Sequence, residues 1–188
     1  MLFPTLQRRP EHEYEVVHKW NTIITPLSAG RENRTRTYSF PLRTITMPLF
    51  DTTTSDANLI INFFNNECFG AFNSFRLVFP YIRTYTKEYI DTADGVDTTW
   101  DLPCKDGDEI TTYVYKDNVA EGFTFGDGTG SDGLDQIILS TPNAGCIITA
   151  TFQDYFAPLV RFPDEMTEKW LWEFVYEYKQ LTFIEVRE

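Results

Sequence analysis

The chain has little of what most catalytic centres are built from. It holds two histidines, His12 and His18, and three cysteines, Cys68, Cys104 and Cys146, in 188 residues. Both histidines lie in a polar N-terminal stretch without a serine or cysteine signature beside them, so a nucleophile pair is not expected. The Gly-x-Ser-x-Gly, Walker A, His-Glu-x-x-His and Cys-x-x-Cys patterns are all missing. Three scattered thiols are odd in number and too few for a disulfide framework or a closed zinc site, and they read as buried or incidental. No apolar run approaches the roughly 20 residues that cross a bilayer, and the opening stretch has no apolar signal core. Basic residues are scarce: 16 Lys/Arg stand against 28 Asp/Glu, for a net charge of −12. Phosphate contact needs concentrated positive charge, so a nucleic-acid partner is not expected. These absences predict a chain with no enzymatic activity, no cofactor and no membrane insertion.

What is present is apolar and aromatic. Hydrophobic residues make up 42% of the chain and aromatics 16%, enough for a real core and too much for disorder. The charge is uneven. Residues 1–50 carry seven Lys/Arg against four Asp/Glu, whereas residues 87–154 carry three against fourteen. Two surfaces with different neighbours, or a well-solvated acidic insertion, both fit that split.

The strongest local signal runs from Ser55 to Pro80. Leu59, Ile60, Phe63 and Phe64 form an apolar stripe at helical spacing, capped by Thr54 or Ser55 and stopped by Gly70. The period then changes: Phe75, Leu77 and Phe79 alternate with Ser74, Arg76 and Val78, which predicts a strand over 73–79. Before it, residues 1–21, broken by Pro4 and Pro10, read as an arm or an irregular edge segment, residues 22–25 as a short strand and residues 28–34 as a polar turn. Residues 36–49 read as one long edge strand, with a bulge at Pro41 where Tyr38, Phe40 and Leu42 give way to Ile45, Met47 and Leu49. After Pro80 come short strands between Gly/Asp turns, at 98–102, 110–115, 123–125, 136–139 and 147–152, with a turn over Pro142–Gly145. Trp170, Trp172, Phe174, Tyr176 and Tyr178 alternate as in a strand, and residues 181–186 close the chain as another. The expected fold is mainly β: an antiparallel sandwich or barrel core with one α-helix (residues 1–86 and 155–188), carrying a small acidic β-sandwich insertion over 87–154.

One loop has metal character. Asp127-Gly128-Thr129-Gly130-Ser131-Asp132-Gly133-Leu134-Asp135 is rich in oxygen donors of the kind a hard cation such as calcium takes. It departs from an EF-hand loop, with Ile138 where the bidentate glutamate belongs. It is read as a hairpin loop and no metal site is assigned; Asp127, Asp132 and Asp135 are the candidate ligands if a cation binds.

The ordered set of segments resembles a family of minor and distal tail proteins of long-tailed bacteriophages and gene transfer agents. Phe3-Pro4 opens the chain. Ser28-Ala29-Gly30-Arg31-Glu32-Asn33-Arg34 is similar to that family's turn after its first strand. Phe69-Gly70-Ala71-Phe72-Asn73-Ser74-Phe75-Arg76-Leu77 is similar to its glycine and aromatic-rich strand. Residues 94–103 and 144–152 resemble the opening and closing segments of a β-module common in phage tail proteins, though the usual leading glycine of the opening is absent. Val160-Arg161-Phe162-Pro163-Asp164 and Ile184-Glu185-Val186-Arg187 complete the likeness. The resemblance implies a structural virion protein at the tail tip, assembled in the host cytoplasm. It would form a homo-oligomeric, hexameric ring that joins the tail tube protein to the hub or tip proteins. The alternative is a receptor- or carbohydrate-binding module carried by Trp100, Tyr113 and Tyr115; a cell-wall hydrolase is the least supported reading.

Overall fold

The computed structural model describes residues 1–7, 14–37, 40–140, 143–167, 169–172 and 175–187, except for the side chains of 29, 50, 51 and 169–180. The readings made at Pro10, His12, Tyr38, Pro142 and Phe174 lie outside the described residues. The strands in chain order are β1 (Glu15–Lys19), β2 (Thr22–Pro26), β3 (Glu32–Arg36), β4 (Leu42–Thr53), β5 (Phe75–Arg76), β6 (Ile82–Thr92), β7 (Thr99–Asp101) and β8 (Cys104–Lys105). They continue as β9 (Tyr113–Lys116), β10 (Val119–Glu121), β11 (Phe123–Gly126), β12 (Gln136–Leu139), β13 (Ile147–Phe156), β14 (Leu159–Arg161), β15 (Lys169–Trp172) and β16 (Val175–Glu185). Helix α1 spans Thr54–Asn62. The protein is mainly β, with several antiparallel sheets and one α-helix, a β-sandwich-type fold.

The chain divides into two compact units, Met1–Phe3 with Arg76–Leu159, and Pro4–Phe75 with Val160–Glu188. The boundaries expected at 87 and 154 fall inside β6 and β13, two strands paired along most of their length, so the division lies farther out, at 76 and 159.

In the second unit, a six-stranded sheet runs β1-β4-β16-β14-β5, with β15 paired to β16. β4 alternates as its sequence demands, burying Ile45, Met47 and Leu49. It is a central strand, not an edge, and it is not continuous with residues 32–36, which form β3. The β4–β16 register slips twice, once between Thr52 and Leu49 and once at Pro48, and not at Pro41. Tyr178 pairs with Leu49 and Leu181 with Met47, so two residues of β16 oppose Pro48. β1 covers only Leu42–Thr46, so the proline's missing N–H costs no ladder bond on that side. β1, at the edge of this sheet, decides between the two readings of the N-terminal stretch: its residues 15–19 form an edge segment, and a regular strand. In the aromatic run, residues 170–172 and 175–178 are extended as expected, but as two strands that pair with each other, Trp170 opposite Tyr176.

Thr53, one residue earlier than expected, caps α1, its hydroxyl accepting from the Asp56 N–H at 3.2 Å. The helix widens into a π turn over Phe63–Glu67 before reaching Gly70. The buried Asp56 carboxylate accepts the Gln7 N–H at 2.8 Å and so ties down the arm. Phe75 is fully buried between rings, 5.0 Å from Phe63, 5.0 Å from Phe162 and 5.9 Å from Phe183. The strand expected over 73–79 shortens to β5, although Leu77 and Phe79 are buried as the alternation requires.

In the first unit, a five-stranded sheet (β10-β9-β13-β6, with β8 on β13) and a three-stranded sheet (β11-β12-β7) each bury one face. The inward residues of β13 are Ile148, Ala150, Phe152, Asp154 and Phe156, all of one parity. β9 and β10 turn on Asp117 and Asn118, both with positive φ, as a two-residue hairpin of this hand requires. Ile110, read as the start of a strand, belongs to a 3-10 turn and is exposed.

Replacing Phe75 with alanine removes the shared partner of three rings. It is expected to destabilise the fold by about 3–5 kcal/mol in urea unfolding, against under ~0.5 kcal/mol for alanine at the exposed Phe69.

Candidate functional site

Two features stand outside ordinary core packing, one exposed in the second unit and one buried in the first. The surface feature is the β2–β3 hairpin. Thr22–Pro26 pairs with Glu32–Arg36 in a two-stranded sheet of its own, and every residue of both strands is exposed. Successive strand residues point to opposite faces. Ile23 and Ile24 therefore place one large apolar side chain on each face, and they are 53% and 54% exposed. Leu27 and Trp20 at its ends are also exposed, with Arg36 lying 5.4 Å over the Trp20 ring. A ribbon packed on one face would alternate apolar and polar residues; this one carries an apolar side chain on each face, and both faces are open to water. Isolated two-stranded hairpins are marginal, and exposed edges invite pairing with another chain. Arg34 and Arg36 of β3, with Arg31 just before it, make this side of the hairpin basic, and Arg34 Nε and Nη2 both donate to Glu32 Oε2, at 3.0 and 2.7 Å. A second apolar patch follows the helix. Phe69 holds a strained positive φ of 49°, and it and Phe72 are turned into solvent.

The buried feature joins β8, β13 and the loop before β12. Of the three candidate ligands, Asp127 is exposed, Asp132 is ion-paired with the Met1 amine, and only Asp135 turns inward. The loop therefore does not gather them. Asp135 is 0% exposed, and its Oδ1 accepts the Gly128 N–H at 2.9 Å while Oδ2 accepts the Gly107 N–H at 2.8 Å. It meets two residues that the sequence reading did not single out. Cys104 Sγ lies 3.7 Å from Asp135 Oδ2, and the ligand atoms of Cys104, Asp135 and Asp154 all lie within 4.8 Å of one another. Strand pairing brings them together: Phe156 opposes Cys104, and the Asp135 N–H donates to the Cys104 carbonyl. Burial pushes the Asp154 carboxyl up to about 7, the Asp135 charge adding to it and the Tyr155 N–H opposing. Burial, then the Asp154 and Asp135 charges, push the Cys104 thiol far up.

Glycine is required at 107. A Cβ there would lie 2.8 Å from Asp135 Oδ2 and 2.9 Å from Asp154 Oδ2.

His18 is exposed, as expected. Of the aromatics read as a possible sugar platform, Trp100 is buried, Lys87 Nζ sits 4.9 Å over the Tyr115 ring, and Tyr113 alone is exposed. No helix among the described residues is long and apolar enough to cross a membrane. No protein-family model matches the chain, and no curated protein matches it.

Two outcomes follow for the isolated chain. Serine at both Ile23 and Ile24 is expected to change its unfolding free energy by less than ~0.5 kcal/mol per site, because both side chains are already in water. Gly107→Ala crowds the two carboxylates and is expected to cost about 1–3 kcal/mol, read by the same urea titration.

Proposed function

We propose that the chain is a structural virion protein of a phage tail tip, assembling into a ring, hexameric by the family resemblance, that connects the tail tube to the hub. The observation that carries this reading is the β2–β3 hairpin, which exposes Ile23 and Ile24 on opposite faces. Both faces need covering, and a second copy of the chain supplies the cover. A closed ring is heterologous: each subunit offers two different patches, head to tail. The hairpin is one patch, and the exposed Phe69 and Phe72 supply an aromatic second. The charge split also supports contact between unlike surfaces. The hairpin carries Arg31, Arg34 and Arg36, while residues 87–154 hold fourteen acidic side chains against three lysines. The ring reading asks for no active site. It places the protein at the virion tail tip, with the tail tube and hub proteins as further partners.

Light scattering after size exclusion, with negative-stain imaging, tests it. The expected result is a hexamer-sized ring for the natural chain and a monomer for the Ile23→Asp, Ile24→Asp double variant. Loss of an interface centre of this kind costs on the order of 2 kcal/mol or more per side chain. A chain that remains monomeric at every concentration, alone and with a tail tube protein, would overturn the reading. Glycan capture by such a monomer would favour the receptor-binding alternative.

A further inference from the structure

Buried carboxylates are ordinarily paired with a cation, hydrogen-bonded or protonated. Asp135 and Asp154 are 0% and 1% exposed, and neither forms an ion pair with Lys, Arg or His among the described residues. Asp135 accepts two backbone N–H groups, from Gly107 and Gly128. Asp154 Oδ1 accepts the Tyr155 N–H, but Asp154 Oδ2 is buried with no hydrogen-bond partner. That oxygen faces the same small space as Asp135 Oδ2, since both border the position a Gly107 Cβ would take. Cys104 Sγ closes the third side.

We propose that Cys104, Asp135 and Asp154 form a binding site for a zinc-class divalent cation. The donor set selects the metal: a sulfur ligand suits borderline-soft zinc and is foreign to calcium and magnesium. Donors around a tetrahedral zinc stand about 3.3–3.6 Å apart, from bond lengths of roughly 2.0–2.3 Å. The Cys104 Sγ to Asp135 Oδ2 separation of 3.7 Å is close to that already. On binding, the Cys104 thiol releases its proton to solvent, and Asp154 Oδ2 and Asp135 Oδ2 coordinate as carboxylates. The ion staples three segments distant in sequence: β8, the loop before β12, and β13. This is a different site from the calcium-type loop, since Asp127 and Asp132 take no part.

The test titrates the chelator-treated, refolding-free natural chain with zinc, then with cobalt as a spectroscopic substitute. The expected result is one zinc per chain and a higher unfolding temperature. Cobalt should give a sulfur-to-metal charge-transfer band that Cys104→Ser abolishes. Asp154→Asn should weaken zinc at least about tenfold, while Asp127→Asn and Asp132→Asn should leave uptake unchanged. If the folded natural chain takes up no stoichiometric zinc, or if uptake survives Cys104→Ser and Asp154→Asn, the proposal fails. The two carboxylates would then share a proton instead.

Discussion

Phe75 is the contact on which the 4–75 and 160–188 unit depends. Its ring touches Phe63 from the helical segment, Phe162 after β14 and Phe183 of β16, and Phe162 in turn lies 5.3 Å from Phe183. One side chain thus links the helical segment to residues that arrive far later in the chain, at Phe162 and at Phe183 of β16. Edge-to-face and tilted rings at these distances add specific energy to plain burial. Once that cluster forms, β4 is held between β1 and β16, and the helix has one place to sit. The other unit has its own counterpart in the Tyr85, Phe152 and Phe156 stack on β6 and β13, with rings 4.5–6.4 Å apart.

Against those two cores the β2–β3 hairpin is the exception. It has strand geometry and apolar side chains but buries none of them, and its basic edge repeats the charge asymmetry of the chain. This fold packs its phenylalanines well yet leaves Ile23 and Ile24 in water, which supports the proposed contact with a second copy of the chain. The buried Cys104, Asp135 and Asp154 cluster is a second exception of the opposite kind, polar groups where the strand's parity calls for apolar ones. The proposal drawn from the first concerns assembly and that from the second local stapling, and neither depends on the other.

Much of the architecture was legible in the residues. The helix at 54–62, the alternation of Ile45, Met47 and Leu49, and the short strands after Pro80 follow from periodicity alone. Boundaries were less so, for physical reasons. Pro41 looked like a bulge because a phase change sits beside it, whereas the register slips lie at Pro48 and between Leu49 and Thr52, where only the partner strand reveals them. The aromatic run at 170–178 has one parity throughout, so nothing local marks its division into two paired strands. The hairpin's signal was present as two adjacent isoleucines, but sequence does not tell an apolar doublet in a core from one in water. Of the acid cluster, Asp135 was singled out for its loop and not for its burial. Asp154 had a signal in Phe152-x-Asp154-x-Phe156, a carboxylate at an inward position, visible once β13 extends to Phe156. Cys104 had none, because only strand pairing brings it near.

The central claim is that the hairpin is the element by which copies of this chain join. Amide hydrogen exchange over residues 22–36, compared between the assembled protein and dilute monomer, tests it most directly. The account predicts fast exchange of these amides in the monomer and strong protection in the assembly, with the β4 and β16 amides slow in both. Equal exchange of the hairpin amides in the two states would contradict it.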